Sequence, residues 1–346
     1  MERIAKYIFI LLLIGSFLPI FQEFTNFFKL EPVRGYYIEV DKPKWKFENY
    51  LNGSFTSQMD EYVRTHFGFY PSFVRIDNQI EYWICKNAKA TGVVIGKNGF
   101  LYEHNYIDSY YGNDFVGTDS IRTLIEKLSL IRKELNEQNK DVWVILCPGK
   151  GYLVPENIPD NRRQEHFNTT NYEVYAKMLP EYKIPTLDLQ KIFLEIKSKN
   201  RTPLFSKHGT HWSEMGEMLA MILTAKFAQE QLKMELPRPY ITDTYTSWQP
   251  HGRDYDIAYG MNLMFQLEPQ PLPYANYEYT KKETGPKKIL IIGDSFYFGP
   301  YGKKFSNYTL GNGAFWYYNQ EEYVLGSEPI NLKNIHKKDR WEEHDI

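Results

Sequence analysis

The chain has 346 residues, with 41 Lys and Arg against 43 Asp and Glu, and a formal net charge of −2. At 42% hydrophobic and 24% charged it has the apolar material for a core, which excludes a disordered tail protein. No Lys/Arg run offers the phosphate-tracking stripe of a nucleic-acid binder. Aromatic content is the departure, because 7 Trp, 28 Tyr and 22 Phe make up 16% of the residues. Rings at that density serve core packing first and flat, sugar-gripping surfaces second.

The chain opens with Arg3 and Lys6 ahead of an uncharged apolar run from Tyr7 to Phe21. A basic flank before such a run predicts a signal-anchor or transmembrane segment over residues 1–24, although the run is shorter than the roughly 20 residues of a typical span. No small-x-small cleavage site follows it, and the basic side stays in the cytoplasm, which places the remainder outside. Residues 25–50 read as a juxtamembrane linker. Residues 45–85 carry helical spacing in Phe55, Met59, Tyr62 and Val63, then in Phe73, Ile76, Ile80 and Trp83. Asn98-Gly99 between two apolar runs predicts a hairpin over Gly92 to Glu103.

A long amphipathic helix is expected from Thr118, through Ile121, Leu124, Ile125, Leu128, Ile131 and Leu135. Asp141 to Cys147 then reads as a strand buried on both faces. Cys85 and Cys147 are able to pair in an oxidising compartment, but Cys147 closes an apolar run and reads as a buried free thiol. Helices are expected near 172–182 and 189–198, a short strand over 184–187, and a helix N-capped by Ser213 and running to about Leu232. Residues 235–286, rich in Pro, Tyr and Gly, read as a long irregular insertion, and Lys287 to Phe296 as a third buried strand ending in a tight turn. Alternating helices and buried strands argue for an α/β three-layer sandwich. Arg340 to Ile346 looks like the lead-in to a further strand, so either a last strand is missing from this chain or the terminus simply frays.

Two segments carry chemistry. A buried strand delivers Gly293-Asp294-Ser295, and ligands of parallel sheets bind beyond such strand ends. Ser295 on that turn is a candidate nucleophile whose own N–H can face a developing oxyanion, with Gly293 relieving the turn. The plainer alternative has Asp294 or Ser295 capping a helix. The second segment, Lys207 to Ser213, holds His208 and His211, and a serine hydroxyl needs such a base. A metal pair or a solvated loop is the alternative there. Without a nearby cysteine or an H-E-x-x-H spacing, no metal is expected.

The order of His211-Trp212, then Gly293-Asp294-Ser295-Phe296, behind one N-terminal anchor, resembles the alginate O-acetyltransferase family of the AlgX/AlgJ type. Val94 to Tyr102, Cys147-Pro148-Gly149-Lys150, Pro155 to Pro159, Leu204 to Gly216 and Tyr255 to Ala258 extend the resemblance over most of the chain beyond the anchor. It implies an SGNH-hydrolase-like sandwich with a mainly parallel sheet over residues 51–346, with an N-terminal cap at 51–117. It also implies O-acetylation of an exported polysaccharide through an acyl-serine, and no cofactor. A membrane-bound O-acyltransferase would supply the acetyl group, and the inner membrane would hold the anchor, leaving the catalytic domain in the periplasm or extracytoplasmic space.

Ser295 is then the nucleophile and His211 the base, with His208 as a lesser candidate and Asp294 beside the nucleophile. Ser295 and Gly149 would supply the oxyanion hole, while Lys150, Trp212, Tyr255 and Asp256 would face substrate. The family's pattern is Asp-x-His, and this sequence has Gly209 at the aspartate position. Three outcomes follow as alternatives: Asp256 or Glu214 replaces it, the pair acts as a dyad, or activity is lost. Asp188 reads as structural. Tyr245, Trp248, Tyr255, Tyr259, Tyr274, Tyr277 and Tyr279 are candidates to line a glycan groove. A deacetylating esterase with the same residues, or a catalytically impaired glycan-binding scaffold, are the competing expectations.

Overall fold

The computed structural model describes residues 2–35, 40–199 and 202–346. The chain divides into two compact units, residues 1–91 with 258–267, and residues 92–257 with 268–346. The division falls at Gly92, inside the cap expected at 51–117. The hairpin that follows is tied to the second unit, where the Leu101 N–H donates to the Lys207 carbonyl at 2.9 Å.

The first unit holds α1 (Glu2–Thr25), α2 (Phe47–Leu51), α3 (Ser54–Thr65) and α4 (Tyr70–Ile80), the last prolonged by a π-turn over Glu81–Cys85. Helix α2 therefore interrupts the segment expected as linker. Within α1, Ile4–Thr25 is long and apolar enough to cross a membrane, and its large apolar side chains are exposed while Gln22 is buried. At 1.5 Å per residue it spans roughly 33 Å, so the helix outruns the uncharged stretch that marks it in the sequence. The last turns of α1 meet the chain again at Gly68. A Cβ there would fall 2.3 Å from the Pro19 carbonyl oxygen and 2.6 Å from the Glu23 nitrogen.

The second unit begins with β1 (Val93–Ile95) and β2 (Leu101–Glu103), paired antiparallel. Asn98 and Gly99 between them both sit at positive φ, as their turn chemistry requires. Helix α5 (His104–Tyr111) follows, then α6 (Thr118–Glu137), which buries Ile121 and Ile125 against Met178, Leu179 and Ile184. Strand β3 (Val144–Leu146) leads through α7 (Lys150–Leu153) to α8 (Asn171–Glu181), which carries a full capping box between Thr170 and Glu173. Strand β4 (Thr186–Asp188) pairs parallel with β3. Helices α9 (Leu189–Lys199) and α10 (Glu214–Leu232) come next, with Ser213 Oγ capping α10 by accepting the Gly216 N–H at 3.2 Å.

The segment expected as irregular holds a long antiparallel ribbon instead, β5 (Pro239–Ser247) with β6 (Leu272–Tyr279). It tolerates a polar, Pro-flanked sequence because most of β5 is exposed, so no alternating apolar face marks it. Strand β7 (Ile291–Gly293) pairs parallel with β8 (Phe315–Tyr317), which turns at Tyr318-Asn319 into the antiparallel β9 (Glu321–Tyr323), flanked in turn by β10 (Ile330–Asn331). The sheets are short, and among the described residues parallel pairing is confined to β3–β4 and β7–β8.

That arrangement corrects two expectations of burial. β7 edges the four-stranded sheet and β3 belongs to the separate pair, and a cavity of about 300 Å³ lined by Trp143, Ile145, Cys147 and Ile291 adjoins both. Ile292 is consequently 58% exposed, and Cys147 is a free, exposed thiol, as is Cys85. At the other end, a short helix Lys337–Glu342 takes up the first half of the expected strand lead-in. There the Asp345 N–H donates to the Lys288 carbonyl and the Leu290 N–H to the Ile346 carbonyl, both at 2.7 Å.

Candidate active site

Three segments converge beyond the end of β7. The turn Ser295–Tyr297 presents Ser295, and Asp294 caps it by accepting the Phe296 N–H at 2.9 Å. Gly293 needs no special conformation. A Cβ there would meet its nearest neighbour at an ordinary 3.9 Å, so the expected steric demand for glycine is absent.

The histidine segment is a closed loop. Phe205 and Trp212 bridge its base, and the Ser213 N–H donates to the Leu204 carbonyl. Ser206 Oγ accepts the Gly209 N–H inside it. His211 projects from this loop with Nε2 2.8 Å from Ser295 Oγ and Nδ1 2.5 Å from Asp256 Oδ2. A carboxylate only accepts, so Nδ1 carries the proton and Nε2 is left to accept from the serine hydroxyl. Asp256 is itself fixed, its Oδ1 accepting the N–H groups of Thr210 at 2.8 Å and Ile257 at 2.7 Å. The Phe296 ring packs against His211 at 4.7 Å.

Gly209 explains why the acid stands at 256. A Cβ on it would lie 2.4 Å from the Arg253 carbonyl oxygen, 2.7 Å from Ser206 Oγ and 3.0 Å from the Asp254 carbonyl carbon. The backbone leading to Asp256 fills the space that a side chain at 209 would need. β6 braces the same loop through Tyr274, whose hydroxyl donates to Asp254 Oδ2 at 2.9 Å and accepts the His251 N–H at 3.2 Å.

Other expected residues are placed differently. Lys150 is 0% exposed, so it lines no substrate surface. Its Nζ donates to the carbonyls of Leu101 at 2.6 Å, Lys207 at 3.1 Å and Gly209 at 2.7 Å, clamping the histidine loop to β2. Burial pushes this amine down to about 7, against the upward pull of Asp256 and Glu103. Trp212, 7% exposed, packs in the core beside Phe193 and Phe296, and its indole N–H donates to the Pro148 carbonyl. Tyr255, at 3% exposed, is edge-on to His208. Neither offers a face to a glycan.

His208 is buried and pushed down to about 4 by that burial, with Lys207 and Lys150 adding to the shift. Its ring lines a small cavity with Asp254 and Gln270. Gly149 begins α7 with Tyr106 so close that a Cβ would lie 2.8 Å from its ring, and Tyr106 in turn packs edge-on to Phe296. Asp188 accepts from Tyr172 and from the Lys191 N–H. Of the aromatic residues of the 235–286 segment, Tyr245 and Trp248 are exposed, whereas Tyr274 and Tyr279 are buried.

A residue holding the nucleophile turn and a carboxyl perturbed by Asp256 both escape a sequence reading. The Arg253 guanidinium donates to the Ser295 carbonyl and lies over the Phe298 ring at 5.2 Å, so it holds the nucleophile turn. Glu103 is pushed up from its usual range by burial and by the charge of Asp256. The only available signals were proximity in sequence to Asp256 for the first and the end of a predicted hairpin for the second.

The family model described as "SGNH hydrolase-like domain, acetyltransferase AlgX" matches residues 93–303. The curated "Probable alginate O-acetylase AlgJ" of Pseudomonas syringae pv. tomato is 26% identical over 187 residues, covering 54% of this chain and 46% of that protein. The chain thus spans about half the length of the curated relative it matches. Among solved structures, the O-acetyltransferase domain of Pseudomonas putida AlgJ aligns at 17% identity over 65% of this chain and 79% of that one, with a TM-score of 0.44. Pseudomonas aeruginosa AlgX aligns at 16% identity over 65% of this chain and 54% of its own, with a TM-score of 0.42.

Proposed function

The chain belongs to the AlgX family of SGNH hydrolase-like acetyltransferase domains, and on that premise we propose that it is a serine-dependent O-acetyltransferase acting on hydroxyls of an exported polysaccharide. The observation that carries the reading is the relay Asp256–His211–Ser295, with separations of 2.5 and 2.8 Å. Asp256 takes the role that the resemblance assigns to the residue now occupied by Gly209, so the missing aspartate is a relocation and not a loss.

In the first half-reaction His211 Nε2 takes the Ser295 proton as Oγ attacks the carbonyl of an acetyl ester. Asp256 holds the imidazole tautomer and stabilises the imidazolium. The N–H groups of Ser295 and Gly149 receive the oxyanion. Collapse expels the donor's oxygen, which takes the proton back from His211, and leaves acetyl-Ser295. In the second half a sugar hydroxyl gives its proton to His211 and attacks the acetyl carbonyl. Ser295 leaves and is reprotonated.

Exposed Tyr245 and Trp248 are suited to stack on sugar faces. A membrane-bound O-acyltransferase is the proposed acetyl supplier. Residues 1–24 hold the protein in the inner membrane with the relay on the outer side.

The test is labelling by a serine-directed fluorophosphonate. Wild type labels and Ser295→Ala does not; an unlabelled wild type would sink the reading. Acetyl transfer to an oligosaccharide must then exceed acetyl release to water, since the reverse order would make the protein an esterase.

A further inference from the structure

Helix α4 is built inside out. Its polar side chains make hydrogen bonds within the unit. Asn78 Nδ2 donates to the Met261 carbonyl at 2.8 Å, and buried Gln79 Oε1 accepts the Phe265 N–H at 2.9 Å. Arg75 donates to the carbonyls of Glu31 and Pro32. Phe73, Ile76, Ile80, Trp83 and Ile84 are exposed along one side, Ile84 reaching 76%, with Phe73 beside the Phe67 ring and Trp83 stacked on exposed Phe265 at 5.5 Å; the one charge on that side, Asp77, is paired with Lys89. An amphipathic helix in water turns the opposite way, and a contiguous exposed apolar stripe marks an interaction surface.

We propose that α4 and its extension to Cys85 lie on the membrane surface that α1 enters, with this stripe sunk into the lipid interface. The inference rests on reading α1 as the anchor. Three observations favour lipid over protein as the occupant. First, the Gly68 turn, two residues before α4, sits against Pro19 to Glu23, so the start of α4 is held where the span ends. Second, Phe28, just past the span, packs on Phe69 at 6.0 Å, continuing that contact into the first turn of α4. Third, the same unit exposes Lys42, Lys44 and Lys46 around an exposed Trp45. Lysine is depleted in protein–protein interfaces, whereas lysine with tryptophan is the composition of the headgroup layer of an anionic membrane.

The experiment uses the full chain with Cys85→Ser and Cys147→Ser, reconstituted in vesicles of phosphatidylethanolamine and phosphatidylglycerol. Single cysteines, Ile80→Cys, Ile14→Cys in the span and Glu137→Cys on α6, carry a nitroxide probed by oxygen and by a water-soluble nickel reagent. Retained fluorophosphonate labelling of Ser295 certifies the fold of each variant. The expected result is a loss of nickel accessibility and a gain of oxygen accessibility at Ile80→Cys, as at Ile14→Cys and opposite to Glu137→Cys. If position 80 behaves like 137 while 14 remains in lipid, the proposal fails and the anchor stands. If position 14 also behaves like 137, the anchor reading fails and takes the proposal with it. A label at 80 shielded from both reagents would mean a protein covers the stripe, which also overturns it.

Discussion

Asp256 grips the His211 segment twice. One carboxylate oxygen stands 2.5 Å from the imidazole Nδ1, and the other accepts the Thr210 N–H one residue earlier. Acid and base are therefore fixed to each other in both tautomer and position. Asp256→Asn should leave the fold intact and lower kcat by about 10⁴-fold, the scale of losing tautomer control in a Ser-His-Asp relay. Steady-state acetyl transfer alongside circular dichroism checks it; a loss under tenfold would remove Asp256 from the mechanism.

Restoring an aspartate at position 209 should fail. The Arg253 carbonyl lies 2.4 Å from where its Cβ would be, so Gly209→Asp is expected to destabilise the fold by about 1–3 kcal/mol through overpacking. Combined with Asp256→Asn it should recover no activity. Urea denaturation and transfer rates of the single and double variants measure both effects.

Lys150 gives stability a pH dependence with a definite sign. Its amine titrates at about 7 in the folded chain against 10.5 when unperturbed, so between those values the unfolded chain binds more protons and stability rises with pH. Lys150→Met abolishes that slope. It also leaves three buried carbonyls without a donor, and should cost about 1–3 kcal/mol at neutral pH. Denaturation midpoints at several pH values between neutrality and the unperturbed amine's range test this, and an unchanged slope in the variant would refute the assignment.

Asp254 acts in the opposite sense. Burial pushes its carboxyl up to about 7 from 3.8, so over that interval the folded chain binds more protons and stability falls as pH rises. Its Oδ1 is buried without a partner. Asp254→Asn, which still accepts from Tyr274, should raise the melting temperature above neutrality and change it little near the low end of the interval. Melting curves on either side of neutrality decide the matter.

Arg253 is a positioning residue, since it touches the Ser295 carbonyl and not the reacting atoms. Arg253→Met retains contact with the Phe298 ring and removes the donor. We expect kcat to fall by up to about 10²-fold with KM little changed, the consequence of a loosened nucleophile. Partial recovery in Arg253→Lys would support the role, and equal losses in KM and kcat would point to substrate binding instead.

Locally encoded features were legible in the sequence. The Asn98-Gly99 hairpin, the 3.6-residue period of α6 and the Ser213 cap each depend on neighbours a few residues away. Ser295 and His211 were legible because their chemistry narrows the candidates. The choice among Asp256, Glu214 and no acid was not, since it depends on which loop folds back over Gly209. Lys150 misled for the same reason: a lysine after a strand is ordinarily solvated, and its three acceptors come from residues 101, 207 and 209. The β5–β6 ribbon stayed hidden because β5 is largely exposed and polar, and a register shift between Ile241 and Asp243 breaks the alternation.

The relay also bears on how the protein folds. Its two hydrogen bonds join residues 45 and 84 positions apart, so neither forms within a local element. Such contacts wait on loop closure across much of the second unit, after hairpins and helices have already formed. A chain emerging residue by residue thus carries an ordinary, unreactive serine until Ser295, the last of the three to appear, docks onto a histidine and an aspartate already made. On the proposed mechanism, the serine meets its base only once the second unit has closed.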